Sequence, residues 1–181
     1  MNFIVFDLEA TCWQDRKHGK QQEIIEIGAV KLDDAGKISD EFCEFVQPRL
    51  HPVLSNFCKE LTTIEQAVID TAAHFPVVLN QFQQWIDLSE PYVLCSWGYY
   101  DKKQLKVDCT LHHLDKAWLA PHISVKHQYA RIKKLNKPVG MPSALKKEGL
   151  ILEGTHHRGI DDARNIAKIF KTQLRNWELP N

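Results

Sequence analysis

Residues 2–8, Asn-Phe-Ile-Val-Phe-Asp-Leu, form a short and nearly continuous apolar run that ends among acids. An apolar run of that length without alternation is the pattern of a strand covered on both faces in the middle of a sheet. Its neighbours must then supply pairing edges and two covering layers. Residues 24–32, the turn Asp33-Asp34-Ala35-Gly36 and residues 37–46 supply strand, turn and strand. After a loop punctuated by Pro48 and Pro52, short helices are predicted over Ser55–Leu61 and Thr63–Ala73. A longer one follows over Pro76–Leu88, with Val78, Leu79, Phe82, Trp85 and Ile86 at helical spacing. Tyr92–Trp97 returns to strand, Lys102–Leu114 is a helix, and Trp118–Ile123 is a fifth strand or extended segment. Val125–Leu135, Ser143–Glu148 and the amphipathic Asp161–Trp177 complete the helices. A hairpin-rich start followed by alternating β and α predicts an α/β mixed sheet with helices on its faces. No internal repeat or low-complexity linker interrupts the 181 residues, so one domain spanning 1–181 is expected.

Composition narrows the classes. No apolar run approaches the roughly 18 residues of a membrane helix, and Met1–Asp7 lacks the basic head of a signal peptide, so neither membrane insertion nor Sec-type export is expected. The five cysteines are scattered, odd in number and never spaced as C-x-x-C, which predicts a reducing, cytoplasmic compartment and no cysteine zinc site. The 23 basic and 23 acidic residues cancel, yet charge is segregated. Between Lys126 and Lys147 stand Lys126, Arg131, Lys133, Lys134, Lys137, Lys146 and Lys147 without a single acid. Such a stretch is either a solvated face or a track for a phosphate backbone.

The acids carry the chemistry. Asp7 and Glu9 are two apart at the end of the first strand, so both carboxylates point to one side, about 7 Å apart along it. Acids also end many strands without further role, so the pair gains meaning only from partners elsewhere. Asp101 follows the strand-like Val93–Trp97, with Gln104 three residues on in the spacing of a capping box. On a helix it shares a face with Leu105 and Cys109 and leans toward the sheet. Near the end of the chain, Asp162 lines up with Ile166, Ile169 and Phe170, whereas Asp161 lines up with Asn165 and Lys168 on the expected wet side. Asp162 is therefore the inward acid and requires a partner. His157 precedes the same helix, where a neutral imidazole could take a proton from water, while His156 is expected to be surface or capping material. Four inward acids and one histidine suit a site for two hard divalent cations, Mg²⁺ or Mn²⁺, about 4 Å apart. The nine histidines show no H-x-x-x-H or H-E-x-x-H zinc pattern.

Phe6-Asp7-Leu8-Glu9-Ala10-Thr11, Tyr99-Tyr100-Asp101 and His157-x-x-x-x-Asp162, in this order, resemble the three motifs of the DEDDh 3′→5′ exonucleases. That superfamily includes ribonuclease T, oligoribonuclease and the polymerase proofreading subunit. Glu23–Gly28, Ser55–Ile64, Ser96–Asp101 and His156–Asp162 are similar to its histone-mRNA and RNA-interference-related subgroup. The resemblance covers nearly the whole chain. It implies an RNase H-like fold with a five-stranded mixed sheet, two metal ions on Asp7, Glu9, Asp101 and Asp162, and His157 as general base. It also implies stepwise hydrolysis from the 3′ end of single-stranded nucleic acid, RNA favoured and DNA open, with release of nucleoside 5′-monophosphates. By position, Ala10 and Thr11 would approach the terminal nucleotide, Leu61 and Thr62 would wedge at its base, and Tyr100 would line the pocket. Proofreading-type members carry Asn four residues before the second-motif Asp, where this chain has Trp97, which bears on substrate preference. Trp13, Trp97 and Tyr99 could stack on bases or belong to the core. An RNase H-like endonuclease could use the same carboxylates without His157, and a binding regulator on this fold would have a broken site. No protein partner is inferable.

Overall fold

The computed structural model describes residues 1–15 and 19–180. Its strands are β1 (Asn2–Ala10), β2 (Ile24–Leu32), β3 (Ile38–Phe45), β4 (Tyr92–Ser96) and β5 (His122–Ser124). They form one mixed sheet in the order β3-β2-β1-β4-β5. β1 is antiparallel to β2, β2 to β3, and β1–β4 and β4–β5 are parallel. The run from residue 2 is thus the central strand. The helices are α1 (Asn56–Thr62), α2 (Gln66–Thr71), α3 (Phe75–Ile86), α4 (Tyr100–Leu111), α5 (Val125–Ile132), α6 (Met141–Lys147) and α7 (Gly159–Thr172). The architecture is the five-stranded RNase H-like sheet flanked by helices. Among the described residues no helix is long and apolar enough to cross a membrane.

The pleat of β1 divides the core. Phe3 and Val5 join Val30, Leu32, Ile166, Ile169 and Phe170 on one face, under α5, α6 and α7. Ile4, Phe6 and Leu8 join Ile27, Phe82 and Leu105 on the other, under α3 and α4. Each such side chain, fully buried, contributes roughly 1.5–3 kcal/mol. Asp7 and Glu9 continue the Phe3–Val5 face beyond the point where α7 begins, so the sheet carries carboxylates where its covering helix ends.

Local signals account for most boundaries. Ser55 caps α1 through its side chain, which accepts from Cys58 N–H at 3.0 Å, and Pro76 and Pro142 sit in the first turns of α3 and α6. The segment expected as an extended fifth strand is divided: Ala117–Leu119 is a turn of 3₁₀ helix, and only His122–Ser124 pairs. Trp118 is buried against the α3 face, and Pro121 interposes before pairing starts. The last helix stops at Thr172 rather than Trp177, because the Trp177 ring folds back to stack on Phe170 at 4.9 Å and its indole N–H donates to the Phe170 carbonyl.

Candidate active site

Backbone pairing creates the first half of the site. β4 runs beside β1 only from Asn2 to Val5, which leaves the β4-facing edge of β1 open further on. Asp101, in the first turn of α4, occupies this edge and accepts the Leu8 N–H at 3.3 Å. It is buried on the same helix face as Leu105 and Cys109, as the periodicity required. The capping box does not form: Tyr99 stands at the N-cap, and Gln104 instead donates to the Gln22 carbonyl and to Asp108. A carboxylate aimed at an open strand edge has a stronger claim than its own helix terminus.

Glycines admit the second half. A Cβ at Gly28 would lie 2.0 Å from Ile160 N and 2.1 Å from the Gly159 carbonyl carbon, so only glycine lets the start of α7 rest on β2. Gly28 is opposite Asp7 in the ladder, and Glu26 is opposite Glu9. Glu26, fully buried, accepts from Gly159 N–H and pairs with Arg158, each at 3.1 Å. It thereby supplies the cap that α7 lacks from its own sequence. The residue had no assigned role in the sequence, although a glutamate inside Ile24-Ile25-Glu26-Ile27 is the signal of a buried charge with a fixed partner.

With α7 so seated, Asp162 reaches the β1 acids: ligand atoms of Asp7, Glu9 and Asp162 all lie within 4.8 Å of one another. Asp162 accepts the His157 N–H at 3.0 Å, and His156 Nδ1 stands 2.9 Å from its Oδ2. His156, expected as surface or capping material, is exposed, and its ring also reaches Asp162. The left-handed backbone of His157, φ +67°, folds its ring over His156, centroids 4.0 Å apart. Nothing in residue type foretells that turn. Asp161 bonds Thr155 N–H and Arg164, away from the site. The wet side assigned to Asn165 is wrong: it is buried and holds Glu153 N–H and the Glu153 carbonyl.

Asp7, Glu9, Asp101, Asp162, His156 and His157 line one open cavity of about 420 Å³, with Trp97, Tyr100 and Lys126 on its wall. Burial and the facing acids push Asp7 well above the usual carboxylate range. Burial, then Glu26 and Asp162, push Glu9 up to about 8, and burial raises Asp101 to about 6 despite the Leu8 and Ser96 hydrogen bonds. Carboxylates desolvated together without countercharge are the electrostatic profile of a divalent-cation site, and an all-oxygen donor set is hard. The residues fit such ions. Burial and the neighbouring His156 hold His157 below its ordinary 6.5, outweighing Asp162, so it stands neutral near pH 7.

A second cavity of about 470 Å³ opens on the other side of Tyr100, lined by Cys12, Trp13, Gln22, Phe57 and Leu61. Half-exposed Tyr100 donates its hydroxyl to Gln22, and Phe57 presents a partly exposed ring. Of the five residues expected at substrate, Leu61 and Tyr100 line this cavity. Ala10, Thr11 and Thr62 are buried: the Thr11 hydroxyl accepts Glu23 N–H, and the Thr62 hydroxyl bonds the Cys58 carbonyl and Ile64 N–H. Phe57 escaped sequence reading, though an aromatic ring left on the outer face of a short helix is the mark to look for.

Residues 4–170 match the family model described as exonuclease (RNase_T). The chain belongs to this exonuclease family. It is 36% identical over 200 residues to human ERI1 exoribonuclease 2, covering 96% of this chain and 28% of that protein. It is 32% identical over 185 residues to human 3′-5′ exoribonuclease 1, covering 95% of this chain and 52% of that one. The chain thus spans between about a quarter and a half of these curated relatives. Among solved structures, the nuclease domain of 3′hExo, a DEDDh family member bound to rAMP, superposes with a TM-score of 0.92 at 30% identity, over 99% of this chain and 96% of that one.

Proposed function

We propose that residues 1–181 act as one 3′→5′ exonuclease domain that removes nucleotides singly from the 3′ end of single-stranded nucleic acid, RNA before DNA, and releases nucleoside 5′-monophosphates. The observation that carries it is the convergence of Asp7, Glu9, Asp101 and Asp162 with His157 on one cavity. The RNA preference rests on the similarity to exoribonucleases. Mg²⁺ or Mn²⁺, two ions held by the four carboxylates, would stabilise charge on the attacking and leaving oxygens when bound. The protein's own groups do the rest. His157, neutral at pH 7, accepts the proton of the attacking water. Tyr100, Leu61 and Phe57 hold the terminal base in the second cavity, so that the last phosphodiester falls at the acids. Thr11 and Thr62 act from inside, keeping the β1 end and α1 in place. Five free thiols suit a reducing, cytoplasmic setting.

The test uses 5′-labelled RNA and DNA of matched sequence with Mg²⁺, Mn²⁺ or chelator, resolved by length. A ladder shortening from the 3′ side in either metal, absent with chelator, is expected, and circular single strands should survive. Cut circles would favour an endonuclease, and binding without turnover in both metals would favour a regulator.

A further inference from the structure

The basic stretch from Lys126 to Lys147 does not act as one surface. Lys126 lines the acid-bearing cavity, Lys133 closes on Glu148 at 2.9 Å, and Lys146 and Lys147 fall in the last turn of α6. The pairing of Lys133 removes it from any phosphate track. Arg131, Lys134 and Lys137 remain, and they line a third cavity of about 550 Å³ whose described lining contains no carboxylate. Arg131 is shared with Glu178 in an exposed pair at 2.9 Å, which binds weakly. Among the described residues, Lys134 and Lys137 form no ion pair.

Tyr99 forms the wall of this cavity, and half of its surface is exposed. Its ring lies nearly parallel to His127, 4.8 Å away at 27°, and tilted against His122 at 6.1 Å, which fixes the half-exposed ring at the cavity wall. Lys134 is equally unusual. It follows the end of α5 in a left-handed conformation, φ +52°, with Leu135 N–H returning to the Ala130 carbonyl. Glycine is the residue this turn favours. A side chain held there carries backbone strain, while its positive charge suits the C-terminal end of a helix.

The third cavity adjoins the first along a ridge. Gly98 and Tyr100 face the acids while Tyr99 between them faces the lysines, and Lys126 faces the acids while His127 faces the lysines. A hydrogen bond of 2.7 Å from Lys126 N–H to the Trp97 carbonyl ties the two sides of the ridge together. We propose that this third cavity is a subsite for the strand 5′ of the scissile bond, where Lys134 and Lys137 neutralise backbone phosphates and Tyr99 stacks a base. It rests on the exonuclease reading and adds where the body of the substrate lies. Because every base has a π-face, the subsite selects length and single-strandedness over sequence.

Steady-state hydrolysis of a 5′-labelled dinucleotide and a 12-nucleotide RNA, in wild type, Tyr99→Ala, Tyr99→Phe and the double variant Lys134→Gly/Lys137→Ser, tests the proposal. Tyr99→Ala should raise KM for the 12-mer about 5- to 160-fold, the range of one lost stack, with kcat and the dinucleotide unchanged. Tyr99→Phe should restore it. The double variant, whose glycine suits the turn, should raise the 12-mer KM at low salt. It should also flatten the dependence of log KM on log salt by about 1.4, two phosphates' worth for a single strand. Unchanged 12-mer KM in both variants, or equal losses on the dinucleotide, overturns the subsite. If wild type shortened neither RNA, the exonuclease reading would fall alone. Anisotropy of the 12-mer in chelator would still decide the subsite by the same ranking of variants.

Discussion

Removing the charge of Glu9 should stabilise the cation-free protein, and only above a definite pH. Burial and the facing acids Glu26 and Asp162 move this carboxyl from 4.5 to about 8 in the folded chain. The unfolded chain, where the acids separate, releases its proton near the ordinary value. Between those limits the folded state holds a proton that the unfolded state has lost, so stability falls as pH rises from about 4.5 to 8 and is flat below. The full difference corresponds to about 3–5 kcal/mol, given that Asp101, raised to about 6, discharges into the same space. Glu9→Gln keeps the shape and abolishes that loss. In chelator at pH 8 the variant should therefore melt roughly 6–20 °C above wild type, and at pH 4.5 the two should coincide. Added Mg²⁺ or Mn²⁺ should raise wild type far more than the variant, closing the gap. Thermal denaturation across pH 4.5–8.5, with and without chelator, reads all three. A gap that does not change with pH, or a variant less stable than wild type at pH 8, refutes the account of Glu9 as an uncompensated buried acid.

Asp162→Ala should abolish turnover with the fold retained, whereas Asp161→Ala, which frees only Thr155 N–H and Arg164, should keep most of kcat; reversed results in a single-turnover assay would overturn the assignment from helical face. His157→Ala should lower kcat by about 10²–10⁴-fold with KM near wild type, and wild-type kcat should fall on the acid side as His157, held below 6.5, becomes protonated. Near-normal kcat in this variant would make the histidine structural. Gly28→Ala should cost about 3 kcal/mol or more in denaturant titrations, because its Cβ would overlap the Ile160 amide at 2.0 Å and push α7 off the sheet; a mild effect would mean that the helix start yields.

Periodicity carried the sequence reading where side chains follow their element. Asp7 and Glu9 share a strand face, Asp101 leans with Leu105 and Cys109, and Asp162 follows Ile166 and Ile169 into the interior. It failed where a contact between distant segments decides the outcome. Asn165 lies on the arc that should be wet, yet the Glu153 backbone takes both ends of its amide. Lys133 belongs by composition to a cationic stretch and by geometry to Glu148. His156 reaches Asp162 because the next residue adopts a positive φ, a feature that leaves no trace in composition. Of the residues assigned to substrate by motif position, two threonines are spent on backbone groups, since a short hydroxyl close to strand and helix ends satisfies the main chain first.

Three backbone N–H groups explain why the acids meet where they do. Leu8 N–H is open because β4 stops pairing with β1 at Val5, Gly159 N–H because the first turn of a helix has no internal acceptor, and His157 N–H because its residue turns out of regular structure just before α7. Each donates to a carboxylate: Leu8 N–H to Asp101, Gly159 N–H to Glu26 and His157 N–H to Asp162. Asp101 and Asp162 thus serve at once as main-chain partners and as members of the acidic cluster, which fixes their positions before any cation arrives. Glu26 stands apart, because its oxygens are taken by Arg158 and the Gly159 N–H, although its charge still raises Glu9. The same contact that seats α7 therefore separates Glu26 from the four acids that the proposed function assigns to chemistry.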